Sequence, residues 1–183
     1  MKENIVTGSE AKRTGRELVQ KGTIFSYYHD TIEFANGNKE IWDFLYHQGA
    51  AATLPVLNNG NILLVHQWRN ALDRYTYEIP AGGLKFKDED RKLAALRELE
   101  EETGYKANKC EFLIRVASAV AYSSELIDVY LATDLVPGKK HLDENEYVEV
   151  KEFTLEECNE LIFSGKLQDC KTIGAIMAYQ QRK

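Results

Sequence analysis

The chain is poor in cysteine: Cys110, Cys158 and Cys170 are widely spaced and odd in number. No C-x-x-C pairs them, so neither a disulfide framework nor a cysteine metal site is written into the sequence. They read as reduced, buried thiols of a cytoplasmic protein. No apolar run approaches the ~20 residues that cross a bilayer, and no signal peptide is apparent. The sequence therefore points away from export and from membranes. Repeats and low-complexity segments are also missing. The net charge of −6 argues against a broad nucleic-acid surface, which would want clustered Lys and Arg. Small anionic substrates stay open, because a bound metal can supply positive charge locally. His29, His47, His66 and His141 each stand alone, as structural histidines do.

What is present is ordinary for one globular domain with its own core: 183 residues, 44% hydrophobic and 28% charged. One stretch stands out, residues 83–105, where a glycine loop feeds a helix loaded with carboxylates on one side. At ~100° per residue, Leu93, Ala95, Leu96 and Leu99 share an apolar arc, and Glu98, Glu101 and Glu102 share another. Glu98 lies three and four residues before Glu101 and Glu102, so these side chains are neighbours. Like charges so placed oppose the helix by roughly 0.2–0.5 kcal/mol per pair. Arg97 offsets part of that. Three convergent carboxylates otherwise suit a hard divalent ion, Mg²⁺ or Mn²⁺. The competing reading is a solvated acidic face.

The spacing of the whole stretch decides between them. It fits G-x5-E-x7-R-E-U-x-E-E-x-G-U, where U is a bulky apolar residue. Gly83, Glu89, Arg97, Glu98, Leu99, Glu101, Glu102, Gly104 and Tyr105 fill the specified places. This is the Nudix box, and the chain resembles the Nudix hydrolases, which cleave a nucleoside diphosphate linked to another moiety. Over residues 22–179 it is similar to the ADP-ribose pyrophosphatase branch. Gln67-Trp68-Arg69 and Glu78-Ile79-Pro80-Ala81-Gly82 before the box carry that likeness, as do Tyr122-Ser123-Ser124-Glu125 and Asp143-Glu144-Asn145-Glu146 after it.

Two departures from the family pattern matter. Val120 replaces a proline usual about sixteen residues past Gly104, which leaves room for another nucleoside diphosphate sugar, such as GDP-mannose, or for a dinucleotide. Pro-Ala-Gly normally supplies the box glycine, yet Gly83 rather than Gly82 fits the spacing. The loop thus carries one extra residue, and the metal-facing carbonyl belongs to Ala81 or to Gly82.

The resemblance implies metal ligation by Glu98, Glu102 and Glu101, with Glu146 as a further ligand and Glu144 as general base. Glu89 and Arg97 pair to hold the loop against the helix, and Gly104 ends that helix. Arg69 is a candidate for a phosphate or terminal ribose, and Trp42, Tyr46 or Trp68 for stacking on the base. The resemblance also implies a homodimer formed through residues 23–46.

Along the chain, residues 1–22 read as a polar, flexible lead-in and 23–183 as a single domain. Strands are expected at 24–28, 30–34 and 40–46, around an Asn36-Gly37 turn, and then at 49–57 and 62–68. A polar stretch covers 69–76. Further strands follow at 111–118, 126–133 and 147–153. Thr154-x-x-Glu157 is a capping box that starts a helix to about 163, and a last helix covers 169–181. The class is α+β: a Nudix-type α/β/α sandwich with a mixed central sheet and an N-terminal antiparallel hairpin extension. Two other readings are a non-catalytic ADP-ribose sensor and a nucleoside triphosphate hydrolase. Retention of Glu98, Glu101 and Glu102 speaks against the sensor, and the N-terminal hairpins speak against the second.

Overall fold

The computed structural model describes residues 11–142 and 147–182. The chain divides into two compact units. The first runs up to His47 and takes in Ala119–Glu125; the second holds Gln48–Ser118 and the chain from Leu126 onward.

The first unit is an antiparallel sheet in the order β1 (Ala11–Lys21), β2 (Ser26–Phe34), β3 (Lys39–Tyr46). The region read as a lead-in therefore contributes a full strand. Its side chains are mostly exposed, so β1 exists through its ladder with β2 rather than through burial. Ile24 and Phe25 lie before β2, and the two short strands expected at 24–34 are one. Asn36-Gly37 makes the turn, with Gly37 at φ +83°. Asp30 is buried and takes a two-point grip from Arg16, 2.6 Å at each contact. That guanidinium also sits 3.7 Å over the Phe44 ring. Residues 119–125 return to the edge of β3: Leu45 donates to the Tyr122 carbonyl, and Ser124 donates to that of Leu45.

The second unit carries the box. Its four-stranded sheet has the order β7 (Ala81–Gly83), β4 (Ala50–Pro55), β9 (Leu126–Pro137), β8 (Tyr105–Ala117). β4 runs parallel to β9 and antiparallel to β7, so the sheet is mixed. A second sheet has the order β10 (Val148–Phe153), β5 (Ile62–Arg69), β6 (Arg74–Glu78). Part of the stretch read as polar loop thus forms a 3-10 turn at Asn70–Leu72 and then β6.

β4 is buried on both faces, as strands covered from two sides are. Ala51 faces Ala94 and Ala95 of helix α1 (Arg91–Thr103), while Ala50, Ala52 and Leu54 join Cys158 of α2 (Leu155–Phe163) and Ala175 and Ile176 of α3 (Cys170–Gln180). Each large apolar side chain so buried contributes roughly 1.5–3 kcal/mol. The expected apolar arc of α1 is corrected in one place: Leu93 is 64% exposed, and the alanines beside it meet the sheet. Asp90 caps α1, accepting from the backbone N–H groups of Lys92 and Leu93 at 2.9 and 3.0 Å. Gly104, at φ +76°, closes it through the Glu100 carbonyl. The capping box at Thr154 and Glu157 forms at the head of α2.

Candidate active site

The stripe of α1 that meets the sheet continues from Ala95 and Leu99 into Glu102, a step of three or four residues each time. Glu102 is only 3% exposed, and the Glu98 side chain only 13%. A solvated acidic face does not look like this. Both carboxylates lie against β7: the Ala81 N–H donates to Glu102 Oε2 at 3.3 Å, and a Cβ built on Gly82 would fall on the Glu98 carboxylate itself. Nothing lies within 4 Å of a Cβ built on Gly83. The close-approach glycine is therefore Gly82, one residue ahead of the Gly83 that the box spacing selects.

Arg97 stands among the other acids. Its Nη1 donates to Glu98 Oε1 at 2.6 Å and to Glu101 Oε2 at 2.9 Å, and its Nη2 lies 3.6 Å from Glu89 Oε1. Burial opposes its charge, but Glu98 and Glu101 raise its pKa above the ordinary value. Glu89 also accepts from the Lys85 backbone N–H, which ties the loop to itself. Among the described residues no three acidic, histidine or cysteine side chains gather as a ready set of metal ligands, because Glu98 and Glu101 turn toward Arg97. The side chains beside Ala81–Gly82 are nonetheless carboxylates, and the absent Cβ of Gly82 is what lets Glu98 come this close. That donor chemistry fits a hard divalent cation. Glu144 and Glu146 lie outside the described residues.

A second charged cluster adjoins this one. Arg69 grips Glu78 at two points, 2.6 and 2.7 Å, and Lys171 Nζ donates to Glu78 from α3 at 2.6 Å. Lys171 also lies 3.0 Å from Asp169, while Thr76 donates to Glu78 at 2.7 Å. Sequence reasoning found Arg69 but missed Glu78 as its partner, and Lys171 and Asp169 behind Glu78. The available signal was a lysine four residues before Ala175, on the buried side of an otherwise apolar helix. Burial pushes the Glu78 carboxyl up, yet Arg69 and Lys171 outweigh it and hold it far below its ordinary 4.5. Burial likewise pulls the Lys171 ammonium down, and Asp169 and Glu78 reverse that to above its ordinary 10.5. The Glu78 contribution to stability is thus present above about pH 4.5 and lost as pH falls toward its folded value. That of Lys171 is present below about pH 10.5 and lost as pH rises through its folded value. Glu78→Gln is expected to cost roughly 3 kcal/mol at pH 7, since it strands two cations. Urea unfolding followed by tryptophan fluorescence checks this, and the gap from wild type should narrow in acid, as Glu78 takes up a proton, and in strong alkali, as Lys171 gives one up.

The aromatic candidates are dispersed. Strand alternation places Trp68 with His66 on the face that carries Tyr75 and Tyr77, opposite Gln67, Arg69 and Glu78. His66 stacks on both tyrosines, at 5.0 and 4.6 Å, and Trp68 is 47% exposed. It is not core. Trp42 and Tyr46 belong to the first unit and are exposed there, as is Val120, at 87%.

A carboxylate helix laid on a glycine strand that leads out of Glu-Ile-Pro-Ala-Gly defines the class. The NUDIX domain family matches residues 47–169, and the chain belongs to it, as a pyrophosphohydrolase. It is 38% identical over 176 residues to the ADP-ribose pyrophosphatase of Bacillus subtilis (strain 168), covering 95% of each chain. It is 37% identical to the methanol dehydrogenase activator of Bacillus methanolicus, covering 93% of each. In fold it matches a crystal structure of an ADP compounds hydrolase, with a TM-score of 0.83, 21% identity and 94% of each chain covered. Divalent metal use is general to Nudix hydrolases. No helix among the described residues is long and apolar enough to cross a membrane.

Proposed function

We propose that the chain hydrolyses the diphosphate bond of a nucleoside diphosphate sugar, ADP-ribose first among them, to AMP and ribose 5-phosphate. The observation that carries this is the placement of Glu98 and Glu102 against Ala81–Gly82. Glu98 and Glu102 would hold the metal, Mg²⁺ or Mn²⁺, with Glu101, Glu146 and the Ala81 backbone as further donors. When bound, such an ion neutralises the phosphate oxygens and lowers the pKa of a bound water. Arg97 orients Glu98 and Glu101, and with Glu89 it holds the loop to the helix. Glu144 takes the proton of the attacking water. Glu144→Gln is expected to lower kcat about a hundredfold with little change in KM, measured by product release at saturating metal. Arg69 offers its Nη1 corner to a phosphate oxygen, the Nε and Nη2 positions being held by Glu78. Trp42 or Trp68 would stack on the base.

The test is a substrate panel with Mg²⁺: ADP-ribose, GDP-mannose, UDP-glucose, NADH and dGTP, with products separated by chromatography. AMP and ribose 5-phosphate from ADP-ribose support the reading. Preference for a guanine or uracil sugar moves the substrate and assigns weight to Val120.

The active form is a homodimer built through the first unit. Leu18, Val19, Ile41 and Trp42 of that small sheet are exposed, as are Ile24 and Phe25 just before β2, and exposed large apolar side chains gathered in one small unit suit an interaction surface. Light scattering should give twice the mass of one chain, and a single monomeric species removes the dimer. A reducing, cytoplasmic setting suits Cys110, Cys158 and Cys170, all unpaired, although only Cys158 is buried as expected: Cys110 is half-buried and Cys170 exposed.

A further inference from the structure

Two side-chain contacts tie the first turn of α3 to the segment that enters the box. Lys171 Nζ holds Glu78, and Thr172 Oγ1 accepts the Ile79 backbone N–H at 2.8 Å while donating to Asp169. Two residues on, Ala81 meets Glu102, and Gly82 meets Glu98. The chain of contacts therefore runs without a gap from α3 to the carboxylate site, all within the second unit. Its charges alternate: Asp169 negative, Lys171 positive, Glu78 negative, Arg69 positive, and then Glu102, whose charge Arg69 feels. Lys171 and Glu78 are both buried, whereas the Arg69 side chain is 41% exposed at the open end.

Such an arrangement has a direction. A planar guanidinium gripped at Nε and Nη2 has one orientation, fixed by the plane of the carboxylate. That carboxylate would swing if nothing held it from behind. Thr76 holds one oxygen and Lys171, the charged partner, holds the other, and Asp169 in turn holds Lys171. An isolated ion pair of Arg69 and Glu78 would need no third charge, and burying a lysine behind it is costly unless that lysine is paired, as Lys171 is with Glu78 and Asp169.

We propose that Lys171 is a positioning residue for the hydrolysis, bracing Glu78 from α3 so that Arg69 stands as a fixed cation for a phosphate oxygen of the substrate. This rests on the reading that the Glu98–Glu102 site takes a nucleoside diphosphate sugar. A cation that contacts the bound diphosphate throughout the reaction acts mainly on KM. Loss of its brace therefore raises KM and spares kcat, and it has no effect once the cation itself is gone.

The test is a double-mutant cycle on the full chain: wild type, Lys171→Met, Arg69→Ala and the double variant. Each is assayed with Mg²⁺ and ADP-ribose, and each is titrated with ADP-ribose in EDTA by calorimetry, where binding is read without turnover. Lys171→Met is expected to raise KM about tenfold, to leave kcat within about threefold and to weaken metal-free binding by a similar factor. The double variant is expected to match Arg69→Ala alone. Single effects that multiply in the double variant overturn the proposal. So does a fall in kcat with KM unmoved, or an Arg69→Ala chain whose KM equals that of wild type. If Lys171→Met does not fold, Lys171→Gln serves, since it keeps a donor for Glu78 without the charge; it should lie between wild type and Arg69→Ala in KM. A wild-type chain that cleaves no nucleoside diphosphate sugar overturns the functional reading and this one with it. A chain that cleaves its substrate but shows independent effects overturns the brace alone.

Discussion

Gly82→Ala is expected to cut kcat/KM about a thousandfold, whereas Gly83→Ala leaves it within about threefold. The two glycines are adjacent on β7, so the contrast isolates one physical cause. A methyl group at position 82 would occupy the space of the Glu98 carboxylate, and the helix carrying it cannot retreat. Ala94 and Ala95 already sit against β4 and Leu84 with no exposed surface. The carboxylate must therefore rotate away, taking a metal donor with it and disturbing the Arg97 pairing with Glu101. Position 83 is open, and neither glycine has the positive φ that a side chain resists. Folding should survive both changes, as circular dichroism would show. Equal activity in the two variants would mean that the box glycine named by spacing, Gly83, is the one that matters.

Glu102→Gln should lower kcat by a similar factor, about a thousandfold, and its signature in stability is the opposite of ordinary damage. Gln keeps an oxygen for the Ala81 N–H, so that donor is not stranded. It also removes a negative charge from a helix flank where Glu98 lies four residues away. In EDTA the variant should melt no lower than wild type. With metal present the order reverses. A ligand at 100 times its Kd stabilises the folded state by ~2.7 kcal/mol, worth roughly 5–10 °C for a chain of this size. Wild type should show that rise on adding Mg²⁺, and Glu102→Gln should lose most of it. Paired melting curves with and without metal decide the matter. An undiminished metal shift in the variant would place the ion elsewhere.

How much of this could be read in advance depended on where side chains carry the information. α1 was legible because the box residues and Gly104 are local signals, whereas its Asp90 cap came into view only with the structure. β4 and β5 were legible because burial makes them apolar. β1 was not: its eleven residues bury almost nothing, and only the backbone of β2 explains them. The first half of β8 was missed for the same reason. Lys106, Asn108 and Lys109 sit on the sheet edge, where polar residues are at home. Within the site, residues on one helix could be placed by periodicity. Contacts between distant segments could not. Arg69 was visible as a cation, but its grip on Glu78 and the support from Lys171, ninety-three residues further on, belong to the tertiary fold. The choice between Gly82 and Gly83 is also tertiary, since it depends on which of the two faces α1.

The stitch between Leu45 and residues 122–124 has a consequence for synthesis on the ribosome. Ser124 Oγ accepts from the His47 backbone N–H across a separation of 77 residues. At roughly 5–20 residues per second, several seconds pass between the emergence of β3 and that of the segment covering its edge. Throughout that interval a nascent hairpin bearing Ile41 and Trp42 has a bare hydrogen-bonding rim, the kind to which other chains add strands. Slow translation of residues 48–118 would lengthen the exposure, and neighbouring nascent chains on the same message would be the first to meet it.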